Sequence, residues 1–304
     1  GYGKVAGLLH ADEVNHAAGT ISKTSSHGYN LIQGNNLTVT RVRPKTEVVR
    51  ESHSVSEAME DLRRLGEERL GKADLNSGLE YGTIAISKYR RTDGTNSWLV
   101  TIPGTDGKRD SPFGWPQNVE LMSSDSKQRM EADSARMVQE AMKQAGINSD
   151  EPVALIGHSQ GGIVAATIAS DLKDDYDVKH VVTAGSPVAN HPIPDKTWVT
   201  SVEMDDELVA ALDGAPNPNS EHWLTVRGTA SKSDNNPKST FAGTPVIDAP
   251  DNKEITHWLK YHQAAYQNAT DMGSSAVKTH ERHFDEILDG DLQEVMYFEG
   301  RMSK

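Results

Sequence analysis

The run Val153-Ala154-Leu155-Ile156-Gly157-His158-Ser159-Gln160-Gly161-Gly162-Ile163-Val164-Ala165-Ala166 changes its period in the middle. Val153 to Ile156 is an apolar run of strand length, while Ile163, Val164, Ala165, Ile168 and Leu172 follow helical spacing. Between them lies a G-x-S-x-G pentapeptide. Three fixed positions match by chance in roughly one chain in ten of this length, so the flanking strand and helix carry the reading. A serine there sits on a sharp strand-to-helix turn, its hydroxyl above the sheet edge near the positive end of the following helix. Ser159 is therefore the candidate nucleophile. The competing reading is a Gly/Ser-rich loop with no chemistry.

On either side, strand and helix patterns alternate. Upstream, Ser54-Val55-Ser56-Glu57 reads as a capping box ahead of Ala58, Met59, Leu62, Leu65 and Leu70, with Gly71 as the stop. Tyr81 to Tyr89 and Trp98 to Ile102 read as two strands joined by the turn Thr92-Asp93-Gly94-Thr95. A helix is predicted after Asp125, with Met130, Met137, Val138 and Ala141 on one face and Gly146 as its end. Downstream, strands are predicted at Val178–Ala184, Trp198–Val202 and Trp223–Val226. Such alternation implies an α/β fold: a mostly parallel central sheet with helices on both faces. Residues 1–50 are polar and weakly patterned and read as a short N-terminal extension, leaving 51–304 as the main domain.

Composition narrows the chemistry. The chain has 304 residues, a formal net charge of −13 and no cysteine. The acidic balance argues against a nucleic-acid partner, which would call for a basic stripe. The absence of cysteine excludes disulfides, thiolate metal sites and a cysteine nucleophile. No apolar stretch approaches the ~18 residues of a membrane span. The opening GYGKVAGLLHADEV has neither an initiating Met nor a signal pattern, and reads as a chain whose upstream part is missing.

An acyl-transfer serine needs donors for the oxyanion that develops on its substrate. One is the backbone N–H of Gln160, directly after the nucleophile. The second should come from the loop after an earlier strand, and Ile102-Pro103-Gly104-Thr105-Asp106-Gly107 occupies that place. Thr105 is the candidate donor there, the alternative being an ordinary Pro-Gly turn.

The segments IPGTDG, SPFGWPQNVELMSS, IGHSQGGIVA, VVTAGSPVAN and ELVAALDGAPNP together resemble the α/β-hydrolase superfamily. The likeness is to its lipase/esterase branch with a P-G-T oxyanion loop, and to bacterial, actinobacterial-type members in particular. It spans a little over half the chain. What it implies is a Ser-His-Asp/Glu triad in the order nucleophile, acid, histidine, with no cofactor and no metal.

The resemblance places the acid after the strand at Trp198, in Glu203-Met204-Asp205-Asp206-Glu207. An ungapped alignment on Leu212-Asp213-Gly214 puts Glu207 at the acid slot and Ala210 where a proline is usual. A loop one residue longer makes it Asp206; Asp205 comes third. For the base, the related enzymes carry histidine just before an aromatic-bearing helix, which selects His262 in His262-Gln263-Ala264-Ala265-Tyr266. His257, His283, His280 and His222 are the alternatives. By spacing alone, His280 and His283 read as an exposed helix face; the same spacing suits a metal pair, for which convincing acidic partners are lacking.

A small-molecule or lipid ester is the substrate implied, and an exported location is implied only by resemblance. With 6% aromatic residues, the chain reads as a soluble carboxylesterase or lipase-like acyl hydrolase rather than a strongly interface-activated lipase. Phe113, Trp115 and Pro116 read either as an acyl-pocket wall or as a packing cluster. Two rival readings share the fold: a non-catalytic binding or effector module, and a serine acyltransferase or peptidase.

Overall fold

The structure, a computed structural model, describes residues 34–114, 129–130, 132–204, 217–228, 230–233, 236–241, 244–246 and 258–304. The chain starts with β1 (Asn36–Val42) and α1 (Val55–Glu68), followed by a hairpin of β2 (Thr83–Arg90) and β3 (Asn96–Ile102). Next come α2 (Asp133–Ala145), β4 (Pro152–His158), α3 (Gln160–Asp171), β5 (Asp177–Ala184), β6 (Trp198–Met204) and β7 (Trp223–Gly228). A small sheet of β8 (Ala230–Ser233), β9 (Asn236–Phe241) and β10 (Thr244–Val246) interrupts the alternation. The chain then forms α4 (Leu259–Asp271), α5 (Ser275–Ile287) and β11 (Asp291–Ser303).

The main sheet has eight strands in the order β1-β11-β2-β3-β4-β5-β6-β7. From β3 through β7 every pairing is parallel; the three on the other flank are antiparallel. Strands β3 to β6 are largely buried on both faces, as parallel strands covered by helices are, while β7 at the edge is only partly covered. Val153 and Leu155 of β4 point into one core with α2 and α3, while Ala154 and Ile156 point into a second with α1, α4 and α5. This is the mostly parallel, helix-covered sheet of an α/β-hydrolase fold.

Local signals explain the element ends. The Ser54 side chain accepts from the Glu57 N–H at 3.1 Å, as a capping box requires. The Val55 N–H, by contrast, is met by Glu281 of α5 at 2.9 Å, so the helix start is shared with a distant carboxylate. Gly146 ends α2 in the left-handed region at φ +86°, where glycine has no Cβ penalty.

β1, which precedes residue 50, is an edge strand of the main sheet, paired with β11 from Asn36↔Ser303 to Val42↔Tyr297. Val48 and Val49 are also buried, in a third core with Leu65, Ala85 and Tyr297. The segment after Gly228 contains the small antiparallel sheet. Its strands carry too little apolar residue for a period of two to stand out.

Candidate active site

The elbow after β4 is built by steric exclusion. Ser159 has φ +56° and ψ −120°, a conformation that costs a non-glycine residue about 1–3 kcal/mol and persists only where its surroundings enforce it. A Cβ on Gly157 would lie 2.2 Å from the Gly161 carbonyl oxygen, and one on Gly161 would lie 2.0 Å from that of Ile102. Both fixed glycines of the pentapeptide are thus places where backbone meets backbone. Only their lack of a side chain lets α3 begin so close to β3 and β4.

Hydrogen bonds lock that geometry. The Ser159 N–H donates to the Ala184 carbonyl at 2.9 Å. Its own carbonyl accepts from Gly162 N–H at 3.0 Å, Ile163 N–H at 3.2 Å and the Ser186 hydroxyl at 2.9 Å. A Cβ on Gly162 would strike Ser186 Oγ at 2.0 Å, so the third glycine makes room for this clamp. Ser186 is a residue that motif reading passes over; its signal was the Ala184-Gly185-Ser186-Pro187 turn after β5. Ser159 itself is 8% exposed, at the rim of the sheet.

The loop after β3 lies against the elbow. A Cβ on Gly104 would be 2.9 Å from the His158 carbonyl oxygen and 3.1 Å from Ser159 Cβ. The buried Gln160 side chain donates to the Gly114 carbonyl at 2.7 Å and reaches Thr105 Oγ1 at 3.5 Å. Thr105 and Gln160 are therefore brought together beside Ser159, and Gln160 contributes its side chain as well as its backbone to the arrangement. Phe113, offered above as a pocket wall or a packing residue, is fully buried in the core under α2. Trp115 and Pro116 lie outside the described residues.

Among the described candidates for the base, His262 lies at this edge. It sits in the first turn of α4, fully buried, with its ring 5.8 Å from that of His158 in an edge-on contact. Its Nδ1 lies 3.0 Å from the Trp258 carbonyl oxygen. A carbonyl can only accept, so the hydrogen belongs on Nδ1 and the lone pair on Nε2.

The described alternatives His222, His280 and His283 lie elsewhere. His180 of β5 is level with Ala154 of β4, five residues before Ser159 and so roughly 16 Å back along the strand. There Trp198 is stacked between His283, 4.2 Å away, and His222, 4.7 Å away. His180 Nδ1 is 2.9 Å from His283 Nδ1, and Thr200 Oγ1 bridges His180 and His280. His222, His280 and His283 are thereby excluded as partners of Ser159. The exposed-face reading of the last two is overturned, since His280 is 2% exposed. Their spacing put them on one face of α5, but the sheet selects which face is covered. Burial holds His180 and His280 below the ordinary imidazole range and pulls His283 down to about 4.

The acid candidates Asp205, Asp206 and Glu207, and the alternative base His257, lie outside the described residues. Glu203, within β6, accepts from Asn217 Nδ2 at 2.8 Å and faces Arg227 at 3.7 Å. Among the described residues, no group of three His, Asp or Glu side chains could hold a metal ion, and no helix is long and apolar enough to cross a membrane.

Residues 118–244 match the family model of a PGAP1-like alpha/beta domain. With the elbow and sheet, that makes this a serine-hydrolase-type α/β fold. The match takes in Ser159 and the acidic segment after β6, while Thr105 and His262 fall outside it on either side. No curated protein and no solved structure matches the chain.

Proposed function

We propose that the protein is a serine hydrolase acting on carboxylic esters, of small molecules or lipids, through an acyl-enzyme. The observation that carries this reading is the enforced backbone of Ser159, φ +56° on a strand-to-helix turn, with the Gly104 loop packed against it. A strained geometry of this kind has no packing benefit that an ordinary loop would not supply without the strain.

In the proposed reaction, Ser159 Oγ attacks the ester carbonyl carbon while its proton passes to Nε2 of His262. The carbonyl oxygen becomes an oxyanion held by the N–H groups of Thr105 and Gln160, each donor contributing about 3 kcal/mol to the transition state. Collapse expels the alcohol, which takes the proton from His262. Water, deprotonated by the same nitrogen, then releases the acid and restores Ser159. The Trp258 carbonyl favours the required tautomer, and Asp206 or Glu207 is proposed to stabilise the imidazolium. No step calls for a cofactor.

The test is intact-mass analysis after treatment with a fluorophosphonate, followed by peptide mapping and a Ser159→Ala control. One adduct per chain, on Ser159 and absent from the variant, is expected. A folded protein that takes no adduct would refute the reading and leave a non-catalytic binding module on this fold. Transfer to an added alcohol in preference to water would assign an acyltransferase instead.

A further inference from the structure

The loop that carries Thr105 is held from behind by a buried ion pair that the chemistry above does not use. Arg69 directly follows α1, whose last turn packs under Pro103: a Cβ on Gly66 would be 3.8 Å from Pro103 Cβ. Its side chain is 3% exposed and that of Asp106 is fully buried. One arm of the guanidinium, Nη2, donates to the Gly104 carbonyl at 2.5 Å, and the other, Nη1, reaches Asp106 Oδ2 at 3.2 Å. Asp106 is itself immobilised. Its carboxylate accepts from Gly82 N–H at 2.8 Å, Ser111 Oγ at 2.8 Å and Lys108 N–H at 3.1 Å. Its own N–H donates to the Phe113 carbonyl at 3.2 Å.

The consequence follows from peptide geometry. There are no cis peptide bonds among the described residues, and in a trans peptide the C=O of one residue and the N–H of the next point in opposite directions. Anchoring the Gly104 carbonyl on Arg69 therefore turns the Thr105 N–H away from α1. The elbow lies on the other side of the loop, where Gly104 meets Ser159 and Thr105 meets Gln160. If that peptide flips, a carbonyl oxygen replaces a donor, and the oxyanion meets repulsion where it needs a hydrogen bond.

We propose that Arg69, fixed by Asp106, is a positioning residue that keeps the Gly104–Thr105 peptide in its donating orientation for the oxyanion. The inference rests on the serine-hydrolase reading. A buried ion pair is a poor investment in stability, since well-packed apolar residues often do as well. A planar fork that grips a carboxylate and a carbonyl at once is instead a device for geometry. Burial draws the Arg69 pKa down to about 10, with Asp106 opposing the shift, so the fork stays charged at neutral pH.

Fluorophosphonate labelling rates at Ser159, with melting temperatures and steady-state turnover of a p-nitrophenyl ester, test this in three proteins. Arg69→Lys keeps a charge opposite Asp106 but cannot grip both partners. It is expected to label about tenfold more slowly, with kcat lowered, KM unchanged and a melting temperature close to wild type. Arg69→Met is expected to lose about 100-fold or more, in line with removal of one oxyanion donor; should it unfold, Arg69→Lys carries the test alone. Wild-type labelling rates in a folded Arg69→Lys would overturn the positioning role and leave the hydrolase reading intact. Rates that fall only in step with melting temperature would likewise overturn it, as a purely structural contact. A wild-type protein that takes no label would overturn the hydrolase reading first, and this inference with it.

Discussion

Replacing Asp285 by Asn should uncover an acid sensitivity that the native chain conceals. Two groups within one turn of α5 titrate away from their ordinary values in opposite senses. Burial, with His280, His222 and Lys179 adding charge, pulls His283 from 6.5 down to about 4. Burial and the Glu281 charge push Asp285 from 3.8 up to about 7, with His53 opposing and Glu57 assisting. Below pH 6.5 the unfolded chain takes a proton at His283 that the folded chain refuses, so stability falls by about 1.4 kcal/mol per pH unit. Between pH 7 and 4 the folded chain keeps a proton at Asp285 that the unfolded chain has released, so stability rises at the same rate as pH falls.

From pH 7 to 4.5, His283 spans two units of its window, a loss of about 2 kcal/mol after allowing for its partial exposure. Asp285 spans 2.5 units and offsets it with a gain of about 2–3 kcal/mol. Urea denaturation at half-unit steps from pH 8 to 4.5 checks this. Relative to wild type, Asp285→Asn should be more stable at pH 8 and lose about 2–3 kcal/mol of that advantage by pH 4.5. His283→Gln should show the reverse slope over pH 6.5 to 4.5. A difference between wild type and Asp285→Asn that does not change with pH would refute the reasoning, since the carboxyl would then titrate at its ordinary value.

Two further outcomes follow from the elbow and its partners. Gly161→Ala forces a Cβ to 2.0 Å from the Ile102 oxygen and 2.5 Å from that of Pro103; prying α3 from β3 should cost about 3 kcal/mol, lower the melting temperature by about 5 °C or more, and abolish fluorophosphonate labelling. His262→Gln should cut ester kcat by about 10³-fold or more, and of Asp206→Asn and Glu207→Gln the one at the acid position should do nearly the same. Unchanged kcat in both acid variants would leave the Trp258 carbonyl as the sole orienting group.

Much of this protein is written locally. The strand, the elbow and the helix from Val153 to Leu172 are read directly, because period and glycine spacing act over a few residues. The same holds for the Ser54 cap and for Gly146. The crowding at Gly157 and Gly161 even gives the motif a physical meaning that its letters only suggested.

What the tertiary structure decided involves partners far apart in the chain. β1 finds β11 across almost the whole sequence, so residues 36–49 carried no sign of belonging to the main sheet. Arg69 reaches Gly104 and Asp106 from the end of a helix whose pattern registers only its apolar stripe. His180, Trp198, His222, His280 and His283 come from two strands, a turn and a helix, and only the order of strands in the sheet gathers them, away from Ser159. Periodicity fixes which face a side chain takes on its own element. Which element covers that face, and so whether a histidine is exposed, catalytic or buried, is settled by strand order and packing.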